Sequence, residues 1–501
     1  MKKLVLVLLA FTAFLNVEAQ DKIMVIADPH VLPQSVIDQE ENFDEYMTKQ
    51  RKMVDLSEPV WHALKDTALL HRPSLILIPG DLTRDGEQAA HDTVSATLMR
   101  LQNAGIRTLV IPGNHDLPGN DWATLYPGTF ANAAKDPDSW SFAVSPLSGV
   151  TVIGIDGSDG NAGIGKLSEA TQAWILSQAD SATAKGHTII AMSHWQILEH
   201  FDQQGTLESS CRFKDADDLR DSLMAHGVHL VLTGHFHVNG ITTFRDTTGL
   251  TNDSLVEITT GSPITYPCPY RWLTLSSDRS EISVETDFIT ALDTIADLNT
   301  YSRDWMREHT QNLIPALALR AWGKVESKWD RVEEILASVY LSYLADEIKS
   351  RLPKTDSAKI DIVQRHIGPA AIELYLFHSE ANENERPEVG QALADSIYAG
   401  MEGMMDEVLD IYAFLFKGMA KAMAQEPVQS MVEDVTQWLS NYPDQTDDLH
   451  PTLILNAPQD IQTVEEQILD DHTPTARKVL INGHLVIENP GGRYSILGEK
   501  W

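Results

Sequence analysis

The chain has 501 residues, 43% of them hydrophobic, which suits two or three domains with sizeable cores and excludes global disorder. Its 72 acidic residues against 38 Lys and Arg give a formal charge of −34, a surface that repels phosphate backbones and excludes a general nucleic-acid binder. A small anionic substrate stays open where a local cation overrides that field. At the start of the chain, residues 1–19 read as a secretory signal. Lys2 and Lys3 precede an apolar run from Leu4 to Leu15, and Val17 and Ala19 form a small-residue cleavage pattern. The run is short for a bilayer span. The expectation is an exported protein, periplasmic, cell-surface or secreted, with no transmembrane segment in the mature chain.

From Lys22 to about Thr286, short apolar runs alternate with helix-like stretches. The runs are KIMVIA (22–27), SLILIP (74–79), RTLVIP (107–112), GVTVIGID (149–156), HTIIAMS (187–193) and HLVLTG (229–234). They are unbroken rather than alternating, which suits strands buried on both faces. Amphipathic stretches such as DEYMTKQRKMVDLSEPVWHALKDTALL lie between them. This is an α/β layered domain over residues 20–288. The later runs LVEITTG, YRWLTLSS and EISVETDF read as an antiparallel continuation.

After Phe288 the apolar spacing becomes helical, and residues 289–445 read as a helical accessory domain or lid. Met401, Met404, Met405, Met419 and Met423 form a stripe there, suited to core packing or to an adaptable binding surface. In the last segment, 446–501, the Asn482-Gly483 pair between two apolar strands signals a β-hairpin, and His484 beside it reads as a strand residue.

The chemistry sits where the apolar runs stop. Asp28 and His30 follow the first, Gly80-Asp81 the second, and Gly113-Asn114-His115-Asp116 the third. His194 follows HTIIAMS, and His235 and His237 follow HLVLTG. Open α/β sheets build their sites at the carboxyl ends of strands. Asp28, His30, Asp81, Asn114, His194, His235 and His237 offer carboxylate, amide and imidazole donors, which suit divalent metals. Seven ligands are too many for one tetrahedral ion but fit two ions sharing a carboxylate, an arrangement that serves displacement at phosphorus. If residues 235–237 are extended, the two histidines share one side and Phe236 points back to the core.

This order of motifs, Asp-x-His, Gly-Asp, Gly-Asn-His-Asp, His and Gly-His-x-His, resembles the calcineurin-like metallophosphoesterase superfamily over about residues 22–286. The resemblance implies a layered β-sandwich flanked by helices and a phosphoric ester hydrolase, which the signal-like start makes an exported one. It implies one metal on Asp28, His30 and His237, a second on Asn114, His194 and His235, and Asp81 between them. A water shared by the metals would then attack phosphorus as hydroxide. The metal identity stays open among Mn, Fe, Zn, Co and Mg.

The resemblance further implies that His115 is the acid and transition-state stabiliser, and Asp85 or Asp116 could orient its ring. The protein phosphatase branch carries an aspartate three residues after its Gly-Asp aspartate; here that position is Arg84, which argues against that branch. Arg84 can clamp a phosphate or simply sit in a solvated loop, and Trp195 can wall the pocket or pack beneath it. The stretch GSPITYPCPYRW (261–272) is a further candidate for the pocket lining. Cys211 and Cys268 are a disulfide or two separate thiols. Partners reduce to a small phosphoester substrate. Two other readings stand: a nucleotide-directed enzyme, weakened by Asp116 where nucleotidases usually show Glu, and a binding protein that kept the metal scaffold without turnover.

Overall fold

The six apolar runs all become strands, and their continuity follows from layers on both sides. The computed structural model describes residues 20–409, apart from 117–120, 159–162, 201–203, 205–208, 247–253, 381–385 and most of 313–341. It also describes 451–454, 477–481, 484–489 and 492–495; the signal-like start and the methionines Met419 and Met423 lie outside the described residues.

One sheet carries β1 (Lys22–Val25), β2 (Leu75–Ile78) and β3 (Arg107–Val110) in parallel. Beyond β1 it continues antiparallel through β11 (Pro269–Leu275), β12 (Glu281–Phe288) and β13 (Thr452–Ile454). The second sheet runs β4 (Ala134–Lys135), β5 (Phe142–Leu147), β6 (Val150–Ile155), β7 (Thr188–Ser193), β8 (Leu230–Thr233), β10 (Ser254–Thr259) and β9 (Gly240–Arg245). Here β10 lies parallel to β8, so the antiparallel continuation expected from LVEITTG holds only toward β9.

Strand alternation sorts the side chains between two layers. Ile23, Val25, Leu75, Leu77 and Leu109 meet Val152, Ile190, Met192, Leu230 and Leu232 between the sheets. On the outer face of the first sheet, Met24, Ile76 and Ile78 pack on α1 (Ser57–His71) and α2 (Gln88–Asn103) through Trp61, Leu64, Val94 and Leu98. On the outer face of the second, Ile153, Ala191 and Val231 pack on α3 (Glu169–Thr183) and α4 (Ala216–Ala225) through Ile175, Ala179 and Leu219. The result is a sandwich of two sheets flanked by helices, with every parallel strand buried on both faces.

Among the described residues between 298 and 409 the regular elements are helices, as the periodicity implies. The longer helices are α5 (Leu298–Gln311), α6 (Ser342–Arg351), α7 (Asp356–His366), α8 (Gly368–Ser379) and α9 (Pro387–Leu409). Their core gathers Met306, Trp322, Val363, Ile372 and Leu376 around Tyr266 of the sandwich, and Met404 packs against it. Among the described residues no helix is long and apolar enough to cross a membrane. A separate unit, 458–501, holds the antiparallel strands β14 (Arg477–Ile481), β15 (His484–Asn489) and β16 (Gly492–Ser495). The expected hairpin is thus part of a three-stranded sheet; its turn residues 482 and 483 lie outside the described residues. Cys211 and Cys268 are not joined to each other, and Cys268 is a buried thiol.

One buried charge ties the sheet to the loops beyond it. Glu257 of β10 is fully buried and accepts the backbone N–H of Ile197 and of Leu198, each at 2.8 Å. It also accepts from Thr233 Oγ1 at 3.0 Å and lies 3.1 Å from His200 Nε2. It therefore anchors the segment after His194 and the strand end before His235. Glu257→Ala leaves those buried donors unpaired and should lower unfolding free energy by about 3 kcal/mol, read by chemical denaturation. A loss below about 1 kcal/mol would show that the tie carries little.

Candidate metal centre

The loops after the strands run side by side before they diverge. His30 N–H donates to Asp81 O at 3.0 Å and Val31 N–H to Leu82 O at 2.9 Å, so the β1 and β2 loops advance together. Gly234 N–H donates to His194 O at 3.2 Å and couples the β7 and β8 loops in the same way. Two glycines permit the closest approaches. A Cβ on Gly113 would lie 2.2 Å from Asp81 Oδ1, and one on Gly234 would lie 2.3 Å from Asp28 Oδ2.

All seven candidate ligands converge. Asp28, His30, Asp81 and His237 form one donor cluster, and Asp81, His194 and His235 another that shares the Asp81 carboxylate. In the first, His30 Nε2 lies 3.1 Å from His237 Nε2 and 3.5 Å from Asp81 Oδ2, while His237 Nε2 lies 3.4 Å from Asp28 Oδ1. In the second, His194 Nε2 lies 3.0 Å from His235 Nδ1, 3.0 Å from Asn114 Oδ1 and 3.4 Å from Asp81 Oδ2.

The outer nitrogens fix the tautomers. His194 Nδ1–H donates to Pro79 O at 3.0 Å, and His235 Nε2–H to Ser210 O at 3.2 Å, which turns His194 Nε2 and His235 Nδ1 inward. Asp81 Oδ1 accepts from the His115 N–H at 2.8 Å. Asp81 Oδ2, buried between the imidazoles of His30 and His194, has no hydrogen-bond partner. A buried carboxylate oxygen without a hydrogen bond, facing converged imidazole nitrogens, is the arrangement a cation satisfies. The residues fit two divalent ions that share Asp81.

Electrostatics divide the histidines. Burial lowers His30 and His237 below the usual imidazole range, and burial with the neighbouring His194 pushes His235 down to about 3. Burial acts on His194 in the same sense, but Asp81 and Asp28 outweigh it and raise that ring to about 9. Burial in turn works to raise Asp81, and His194 and His30 outweigh it, holding the carboxylate well below its usual range. His194 and Asp81 thus favour each other's charged forms.

The other candidates separate. Asp85 Oδ1 lies 2.7 Å from His115 Nδ1, and the His115 ring stands edge-on to His30 with centroids 4.8 Å apart. Asp116 does not share that role. It is fully buried and accepts from Leu82 N–H, Thr83 N–H, Thr83 Oγ1 and Gly113 N–H at 2.9–3.1 Å, stitching the β2 loop to the β3 loop. Burial and the charge of Asp81 push it up to about 7. Arg84 is taken by Glu40 and Glu87, each at 2.6 Å, so it braces its own loop rather than offering a free phosphate clamp.

Trp195 is fully buried beneath the ligands, 5.1 Å from His194 and 5.9 Å from His235 between ring centroids, with Nε1–H donating to Gly163 O at 3.1 Å. It packs under the centre and does not wall the pocket. The 261–272 stretch also supports from below: Ser262 Oγ donates to Asp28 O at 2.7 Å. Phe236 departs from the expected direction. His235 and His237 have φ of 67° and 63°, so the segment is not extended, and the half-buried Phe236 ring lies 5.9 Å from His378 of α8.

Residues without a spacing signal complete the rim. Lys52 Nζ lies 3.5 Å from both ring nitrogens of His30. Burial lowers its ammonium below the usual lysine range, opposed by the charges of Asp81, Asp85 and Asp28. Its neighbour Arg51 stands 4.7 Å over the Tyr375 ring of α8, and Tyr266 O–H donates to Glu380 at 2.8 Å. Lys52 falls inside an amphipathic stretch, and its role depends on a contact with a helix more than 300 residues away, which no local pattern encodes.

Residues 21–239 match the calcineurin-like phosphoesterase family. This part of the chain is a calcineurin-like phosphoesterase domain. Among solved structures, the chain is similar to a dimetal phosphatase from Danio rerio at 16% identity, covering 53% of this chain and 95% of that one with a TM-score of 0.41. Another is phosphopantetheinyl hydrolase from Mycobacterium tuberculosis, at 12% identity over 49% and 92% of the two chains, with a TM-score of 0.24. No curated protein matches the chain.

The His194–Asp81 pair of the phosphoesterase domain makes a specific prediction. The raised pKa of His194 means that the metal-free protein carries a proton there until pH rises through about 9, and a metal must displace it. Metal titration by calorimetry near neutral pH, in buffers of different ionisation enthalpy, should show about one proton released on loading. Affinity should rise with pH toward that value; loading without proton release would contradict the pairing.

Proposed function

We propose that the chain is a metal-dependent phosphoric ester hydrolase acting on phosphomonoesters or phosphodiesters. The observation that carries this is the orphaned Asp81 Oδ2 between two imidazole clusters, beside an Asp85–His115 pair. Asp28, His30 and His237 would hold one divalent ion, Asn114, His194 and His235 the second, and Asp81 both. Such a pair, when bound, supplies an acidified water for attack at phosphorus and neutralises charge on the phosphoryl oxygens. The donor set accepts Mn, Fe, Zn, Co or Mg.

The chain's own residues manage the leaving side. As the new P–O bond forms, the ester P–O bond breaks and the departing oxygen would leave as a costly alkoxide. His115 meets that need. Asp85 engages Nδ1 and fixes the ring, so Nε2 is the nitrogen that hands a proton to the leaving oxygen. The His115 backbone is itself pinned by Asp81 Oδ1, so the acid and the metal bridge share one support. Asp116, by stitching the β2 and β3 loops, holds both in register.

His115→Ala should lower kcat for phosphoester hydrolysis about 10²- to 10⁴-fold while the protein retains its metal. Turnover and metal content measured together decide this. Unchanged turnover with metal bound would remove His115 from the mechanism.

A further inference from the structure

We infer that Lys52 binds a phosphoryl oxygen of the substrate and makes the centre selective for phosphomonoesters; this rests on the hydrolase reading above. Lys52 forms no ion pair among the described residues, and its ammonium sits at the edge of the donor cluster, 3.5 Å from each nitrogen of His30. In the metal-free protein the charges of Asp28, Asp81 and Asp85 surround it. Metal loading changes that balance. Two dications would carry more charge than the carboxylates of Asp28, Asp81 and Asp85 together neutralise, so Lys52 would stand beside a positive centre. A partly buried cation in that position needs an anion, and the substrate brings one.

The chemistry of phosphate esters then sets the class. A monoester presents three non-bridging oxygens, of which two can face a pair of metals. The third needs a donor of its own. A lysine ammonium supplies a compact charge with three donors for it. A diester has only two non-bridging oxygens and carries one charge fewer, so it gains much less from Lys52.

Lys52 is also held as a recognition group would be. The buried Met53 next to it donates its N–H to Ile264 O at 2.8 Å. On the other side Arg51 is hydrogen-bonded to the Tyr375 hydroxyl and lies over its ring, and the Asn312 side chain donates to Thr48 O. The loop is clamped between the sandwich and the helical segment. In this reading the helical segment acts on specificity by fixing Lys52.

The test uses the full chain loaded with measured metal, as wild type, Lys52→Met and Lys52→Arg. Substrates are 4-nitrophenyl phosphate and bis(4-nitrophenyl) phosphate, and inorganic phosphate binding is read by calorimetry. Lys52→Met should lower monoester kcat/KM about 10²-fold and diester kcat/KM by less than about threefold, with metal content unchanged. Phosphate affinity should fall about tenfold or more, and Lys52→Arg should recover most of both. Equal loss on the two esters, or phosphate affinity unmoved by Lys52→Met, overturns the inference. Should Lys52→Met fail to fold, the same ratios read on Lys52→Gln decide it. If the wild type cleaves neither ester yet binds phosphate through Lys52, the hydrolase reading fails and the recognition role stands.

Discussion

Five of the seven metal-ligand candidates stand in the left-handed backbone region, and the rest of the molecule is arranged to keep them there. Asp28, His30, Asp81, His235 and His237 have φ between 40° and 67°. Each such residue costs on the order of 1–3 kcal/mol unless its surroundings over-determine it. Asp and His tolerate this region better than most residues, which is one reason the ligands can sit there at all. The opposing resource is the sandwich. Each aliphatic side chain fully buried between the sheets contributes about 1.5–3 kcal/mol, so rigid strand ends can hold strained loops. Backbone hydrogen bonds between neighbouring loops and the carboxylates of Asp116 and Glu257 then lock the arrangement.

The strain serves a convergence that side-chain direction alone would not reach. Extended strands would send successive ligands to opposite faces. Left-handed turns immediately after β1, β2 and β8 swing carboxylate and imidazole donors back over the sheet edge onto one volume. Asp81 is the hinge of this geometry, with one oxygen fixing the His115 backbone and the other left between His30 and His194. The His115 backbone, the Asp81 carboxylate and the imidazole clusters are therefore tied into one unit.

Much of this was legible in the sequence because strand burial and ligand chemistry leave local marks. Unbroken runs such as SLILIP and HLVLTG mark strands covered on both faces, and each is followed by its ligand. The donor identities were legible for the same reason. The backbone at His235 and His237 was not: alternate spacing implies an extended segment, but both residues stand in the left-handed region and Phe236 faces α8 instead of the core. Arg84, Asp116 and Trp195 read as catalytic or substrate groups by proximity in sequence. The partners that settle their roles, Glu40 for Arg84, the β2 loop for Asp116 and Gly163 and His235 for Trp195, lie at other places in the chain. Lys52 was silent for the converse reason, since its setting depends on Tyr375 and Ile264, both distant in sequence.

The central claim is that two ions share the Asp81 carboxylate, and anomalous diffraction from crystals of the full chain soaked in manganese tests it most directly. The account predicts two anomalous peaks, one among Asp28, His30 and His237 and the other among Asn114, His194 and His235, both touching Asp81. A single peak, or two peaks that leave Asp81 uncoordinated, would contradict it.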